Sequence, residues 1–366
     1  MKKTLIALAA VAATGAAMAQ SSVTIYGVVD VGFTDISNSG TGTDNTGLTS
    51  SNMTTNRLGF RGTEDLGGGL KANFQIETSL AADAPAASSV GDRGAWVGLS
   101  GGFGEIRLGR EYSTTFWSGF LFSPFGTGGV GNGFGFINRV NAHGATGQTN
   151  PIWNNNSITY SSPRIAGFQG HAQYVFDEVA GANNAGRSMG LRLNYSAGPL
   201  GAELAYSDTD GGAALTFTAP ATSTPILGLT TSAAHKSVVG GVSYNFGVAR
   251  VMANFGQEKA SVQATGAPLA KITNYEIGVV APVGPGRLRA AYNNTKIDVT
   301  ALATDPKVSK FALGYIYDLS KRTAVYATVA SLKNKNNANL VLTGPATTGA
   351  ANGRSTGYNI GISHTF

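Results

Sequence analysis

From Val23 to its end the chain is written in period two. Stretches of about ten residues alternate apolar with polar side chains, many carry Tyr or Phe, and Gly, Asn or Pro closes them, which is strand periodicity and not helix periodicity. In Leu70-Lys71-Ala72-Asn73-Phe74-Gln75-Ile76-Glu77, the residues Leu70, Ala72, Phe74 and Ile76 share one face and Lys71, Asn73, Gln75 and Glu77 the other. The same alternation runs through Arg57-Leu58-Gly59-Phe60-Arg61, Tyr275-Glu276-Ile277-Gly278-Val279 and Phe311-Ala312-Leu313-Gly314-Tyr315-Ile316-Tyr317.

The polar faces carry charges and Gly, while the apolar faces are rimmed by aromatic residues, the pattern of a closed sheet with lipid outside and water inside. Connections alternate in length. Short turns fall near 66–69, 101–104, 164–167, 198–199, 246–248, 282–286 and 319–321. Long Ser/Thr/Gly/Asn-rich loops fall near 36–55, 80–92, 113–154, 178–187, 209–235, 259–271, 298–307 and 334–355. Seven turns and eight loops predict an all-β fold, a transmembrane antiparallel barrel of sixteen strands, wide enough for an aqueous channel. Closure is required because backbone amides facing lipid must pair, and only an edgeless sheet pairs them all.

Composition agrees. Only 13% of the 366 residues are charged, against roughly 25% in soluble domains. Beyond the N-terminus no window approaches the roughly 20 apolar residues of a spanning helix. The absence of Cys suits export through an oxidising compartment and excludes a thiolate centre. Residues 1–19 read as a cleaved signal peptide: Lys2 and Lys3, an apolar run from Leu5 to Val11, then Ala17-Met18-Ala19 as a small-x-small site. The mature chain, 20–366, is expected to be one barrel domain beginning at Gln20, with 24 basic against 20 acidic groups.

Particular segments resemble the Gram-negative general porins: Val23-Thr24-Ile25-Tyr26-Gly27-Val28-Val29-Asp30, the run Arg57 to Lys71, Trp96-Val97-Gly98-Leu99-Ser100, Leu108-Gly109-Arg110, Asn156 to Pro163, Leu319-Ser320-Lys321-Arg322-Thr323, and a last strand ending in Phe366. The resemblance spans the mature chain in the family's order. It implies an outer-membrane homotrimer whose third external loop folds inward to narrow the pore, and a terminal Phe366 that is part of the signal read by the outer-membrane insertion machinery. The stretch 113–154 is the longest connection and the candidate for that loop.

In a wide pore, selectivity comes from charge at the narrowest point. Leu58 and Phe60 set the lipid face of their strand, so Arg57 and Arg61 point into the lumen. The resemblance places Arg57 in a basic cluster at the constriction and matches Arg93 and Arg110 to the same wall. Parity serves those two less well, since Ile106 and Leu108 put Arg110 on the lipid face and Val97 and Leu99 do the same to Arg93; a bulge could re-aim either. Where the family often carries an Arg before the Asn-Ser-Ile element, this chain has Trp153, and either Arg139 takes over or the pore has one positive charge fewer. Glu77 and Asp30 are inward acidic candidates. From Tyr112 through Phe176 there is no Asp or Glu, which argues for preference toward anions. The long loop also holds Phe116, Trp117, Phe120, Phe122, Phe125, Phe134 and Phe136, rings that either pack it to the wall or form a stacking track for a solute.

Catalysis is not expected. His143, His171, His235 and His364 are scattered, there is no HExxH or Gly-x-Ser-x-Gly, and neither Gly67-Gly68-Gly69 nor Gly128-Gly129-Val130-Gly131 has the Lys and flanking helix of a phosphate loop. No cofactor or metal is expected, and an exported chain has no access to nucleic acid. The first reading is therefore a passive pore for small hydrophilic solutes and ions, in contact with outer-membrane lipid and lipopolysaccharide. The alternatives are a substrate-selective channel of the same fold for organic acids, phosphate-like anions or sugars, and a structural or adhesive barrel with a closed lumen.

Overall fold

The computed structural model describes residues 22–84, 89–133, 140–141, 152–177, 186–211, 214–219, 222–300 and 302–366, without side-chain detail for 140–141, 214–219 and 222–232. The expected signal segment, Arg139, His143, Phe134 and Phe136 lie outside the described residues.

Nineteen described strands, β1 to β19 in chain order, form one antiparallel sheet. It closes where β1 (Ser22–Asn38) pairs with β19 (Arg354–Thr365), with Asp30 opposite Ser363. Three strands decorate external loops: β2 (Asn45–Ser50), β7 (Val140–Asn141) and β12 (Ala214–Ala219). The other sixteen make the barrel wall, joined by short turns at one end and long loops at the other, as the alternating connection lengths predicted. At Gly67-Gly68-Gly69 all three φ angles are positive, so this turn uses backbone that glycine adopts without strain.

The polarity is inverted relative to a soluble sandwich. In β15 (Pro268–Val283) Glu276 is 2% exposed, while its neighbours Tyr275 and Ile277 are about half exposed. In β17 (Lys307–Asp318) Lys310 is buried beside an exposed Phe311. Charged groups thus face the interior and aromatic rings face out, as period two with an apolar outer face requires.

The third external loop turns into this interior. After β6 (Gly104–Tyr112) comes a single described helix, α1 (Phe116–Leu121), and the chain then crosses the inner wall as far as Gly133. It is seated in a groove made by the absence of side chains. A Cβ at Gly241 would collide with Phe122, one at Gly278 with Pro124, and one at Gly314 would come within 3.0 Å of Phe125. Polar clamps complete the seat: Ser118 Oγ donates to Glu203 Oε1 (2.8 Å), Asn254 Nδ2 to Phe122 O (3.0 Å), Arg289 Nη1 to Pro124 O (3.3 Å) and Lys310 Nζ to Gly131 O (3.0 Å). Phe122 and Phe125 are therefore buried as packing groups.

Candidate pore constriction

The seated loop leaves a recess of about 370 Å³ between α1 and the opposite wall, built on β1, β3 (Arg57–Gly67), β4 (Leu70–Ser79), β5 (Gly94–Gly101) and β6. Four arginines line it, Arg57, Arg61, Arg93 and Arg107, against two carboxylates, Glu77 and Glu111. The aromatic side is Tyr112, Phe116, Trp117 and Phe120, joined by stacked contacts of 4.4 Å from Tyr112 to Phe116 and 5.6 Å from Phe116 to Phe120.

Charge compensation within the recess is uneven. Glu77 is 5% exposed and crowded with donors: Arg93 Nε at 2.8 Å, Tyr26 OH at 2.9 Å and Arg57 Nε at 3.6 Å. Arg93 also donates to Tyr112 OH (2.9 Å). Arg107 lies over the Trp96 ring at 4.2 Å and bridges Glu105 (2.7 Å) and Glu111. Arg61 lies over the Tyr26 ring at 5.1 Å and makes no ion pair with a described carboxylate. With two carboxylates against four guanidinium groups, the recess carries an excess of positive charge, and the acid-free loop facing it offers nothing to offset that excess.

The sequence-expected residues divide. Arg57, Arg61, Arg93 and Glu77 come together with Phe116, Trp117 and Phe120 in the recess. Arg110 does not: it pairs opposite Ala95, donates Nε to Asp92 O (2.7 Å) and Nη1 to Asn155 Oδ1, and is absent from the recess lining. The anticipated bulge exists, but Gly109 pairs with Ser157 and Glu111 with Asn154, so the extra residue falls on β8 (Trp153–Ser161). The alternation of β6 continues through it, keeping Arg107 and Glu111 inward. Arg93 precedes the first residue of β5, in a turn where strand parity has no hold, and its side chain turns inward to Glu77. Trp153 lies between Arg93 and Arg110, its ring 5.5 and 5.6 Å from their guanidinium carbons. Phe366 sits at the barrel seam, its backbone exchanging 3.1 Å hydrogen bonds with Gly27.

Asp30 faces inward yet is wholly buried. Its carboxylate accepts from the backbone of Asn52 (3.0 Å), Met53 (3.1 Å) and Thr54 (2.9 Å) and from Tyr326 OH (2.6 Å), so the geometry gives it a loop-anchoring place and not a place on the pore surface. Asp30→Ala is expected to leave these donors unpaired at roughly 1–3 kcal/mol or more. The folded band on a heated SDS gel should then convert at lower temperature, with the zero-current potential unchanged.

Arg107, Glu111, Trp96 and Tyr26 were not anticipated in the constriction. For Arg107 the signal was present, since Ile106 and Leu108 facing lipid require Glu105 and Arg107 to face the lumen.

Residues 4–337 match the family model described as Gram-negative porin. The chain is 39% identical, over all of both chains, to outer membrane porin protein 32 of Delftia acidovorans, and 29% identical, again over both full lengths, to major outer membrane protein P.IB of Neisseria lactamica. Among solved structures, an anion-selective porin from Comamonas acidovorans superposes with a TM-score of 0.81 at 35% identity, covering 95% of this chain and all of that one. The trimer form of OmpT from Vibrio cholerae shares the fold at TM-score 0.69 and 16% identity. These relatives are channel proteins, and with a closed sixteen-stranded barrel, an inward third loop and family matches along its length, this chain belongs to the Gram-negative porins, passive channels of the outer membrane.

Proposed function

We propose that this porin passes small anions more readily than cations, through the basic recess of Arg57, Arg61, Arg93 and Arg107. The observation that carries the reading is the inequality of lining charge, four guanidinium groups against Glu77 and Glu111, beside a loop without carboxylates. Low-dielectric walls focus that excess on the ion path, so an anion gains and a cation loses at the same point. Transport runs down the solute gradient, and the polypeptide supplies only the shaped, charged passage. The 35% identical Comamonas structure, described as anion-selective, supports the same sign.

The protein is further proposed to work as a homotrimer, with Phe366, a residue 43% exposed at the seam, read by the insertion machinery. The test of selectivity is the zero-current potential of the refolded protein across a KCl gradient. The expected sign is that of Cl⁻ passing faster than K⁺. Arg107→Gln should weaken the potential, while Arg110→Gln, outside the recess, should leave it unchanged. A potential of the opposite sign would reject the proposal.

A further inference from the structure

Outside the recess lining, a chain of polar contacts ties α1 to the inner wall. It starts at Ser118, whose Oγ donates to Glu203 Oε1 (2.8 Å) of β11 (Leu200–Thr209). Glu203 Oε2 accepts from Arg192 Nη1 (3.3 Å) of β10 (Ser188–Ala197), and the guanidinium carbon of Arg192 lies 5.2 Å from the centre of the Trp117 ring on α1. Trp117 lines the recess, whereas Arg192 is absent from its lining. Gly190, the preceding inward position of β10, makes room for the chain as it enters α1, since a Cβ there would collide with Thr114. One strand thus supports both the approach to the helix and the ring that the helix presents.

The chain of contacts ends on a histidine. His171 of β9 (Phe168–Val175) stands opposite Arg192 in the register, and Arg192 Nη2 donates to His171 Nε2 (2.8 Å). Asn194, the next inward residue of β10, turns its amide nitrogen to the same Nε2 (3.1 Å) while its oxygen accepts from Arg164 Nη2 (3.2 Å). With two donors aimed at Nε2, the ring carries its proton on Nδ1, 2.8 Å from Ser161 Oγ of β8. His171 is neutral in this arrangement, because a second proton would make Nε2 a donor that faces two donors, one of them cationic. The positive charges of Arg107 on β6 and of Arg164 in the turn 164–167 act on it as well. The carboxylates of this region are engaged with guanidinium groups, Glu203 with Arg192, and Glu105 and Glu111 with Arg107. The Arg192 side chain is 12% exposed and that of Glu203 not at all, so water screens these charges little.

We propose that Arg192 is a positioning residue for α1, holding Trp117 at the recess, and that His171 is its proton-sensitive support. Uptake of a proton from water at Nε2 leaves the Nδ1 proton on Ser161 and places an imidazolium against the guanidinium at hydrogen-bond distance. Arg192 then withdraws, which loosens its hold on Glu203 and on the Trp117 ring together. Of these contacts α1 keeps only the bond from Ser118 to Glu203. The constriction is therefore steady at neutral pH and mobile in acid. Neither residue lines the recess, and the coupling does not rest on the sign of the pore's selectivity.

The test is single-channel recording of the refolded protein in steps from about pH 8 to about pH 4, for the wild type, His171→Gln and Arg192→Met. The wild-type current is expected to be steady at the upper end and to show frequent transitions between levels in acid, their rate rising by about tenfold or more, since each pH unit changes the ratio of imidazolium to imidazole about tenfold. His171→Gln offers Arg192 an amide oxygen in place of Nε2 and takes up no proton in this range, so its current should stay steady throughout. Arg192→Met should fluctuate already at about pH 8, with no further rise in acid. A response from other groups, such as His235 at 3.5 Å from Glu258, would be the same in the wild type and in His171→Gln. Identical pH profiles in those two channels would overturn the proposal, as would an Arg192→Met channel as steady as the wild type. If Arg192→Met fails to fold, the comparison of the wild type with His171→Gln decides alone. The readout is the steadiness of the current, so its outcome is separate from that of the zero-current potential.

Discussion

Arg57→Ser combined with Arg61→Ser is expected to abolish most of the anion preference, bringing the zero-current potential across a KCl gradient close to zero. The recess has two guanidinium groups in excess over its carboxylates, and these substitutions remove two. A unit charge about 7 Å from the ion path in a water-like medium contributes about 0.6 kcal/mol, close to RT, with opposite sign for K⁺ and Cl⁻. Each Arg therefore changes the Cl⁻/K⁺ permeability ratio by roughly threefold to sevenfold, the lower figure applying as salt approaches 0.1 M and screening sets in. Arg61 should have the larger single effect, because Arg57 lies within ion-pair distance of Glu77 and Arg61 has no such carboxylate. A double variant that keeps the wild-type potential would mean that the selecting charges lie elsewhere along the channel.

Releasing the inward loop should have an equally visible effect on the current itself. Arg289 and Lys310, both buried, donate to carbonyls of the loop, and the Arg289 guanidinium lies 4.5 Å from the centre of the Phe125 ring. Arg289→Met with Lys310→Met leaves Pro124, Gly131 and Asn132 carbonyls without these donors, at roughly 1–3 kcal/mol for each buried acceptor that water cannot reach. The glycine groove remains, so the loop still fits but is no longer clamped. Single-channel records should change from a steady level to frequent transitions between levels, while far-UV circular dichroism stays that of a barrel. Lys333→Met, on the outer face, serves as the control and should leave the current steady. Quiet channels in the Arg289/Lys310 variant would mean that packing of Phe122 and Phe125 alone holds the loop.

The alternation that set strand faces from Leu58 and Phe60 also placed Arg57 and Arg61 in the lumen, and it would have placed Arg107 there had it been applied between Ile106 and Leu108. It lost its hold at Arg93, which precedes its strand. At Arg110 the parity reading and the structure agree, because the bulge inserted its residue on the partner strand and left β6 in phase. Asp30 was legible as inward but not as an anchor, since its partners come from the first external loop and from Tyr326, 296 residues away.

By itself, then, the sequence determined the barrel, its strand count and the direction of most side chains, because each follows from a period of two residues and from connection lengths read locally, whereas the inward fold of the third external loop is what the family resemblance implies. Tertiary structure alone decided which charges meet. Glu77 is shared by Arg93 and Arg57, the loop rests on glycines from three distant strands, and Lys236, Lys259 and Lys271 stand in one row across three. The physical reason is that side-chain direction is a property of the local backbone, whereas charge compensation and packing depend on the register between strands, which closure of the whole sheet sets.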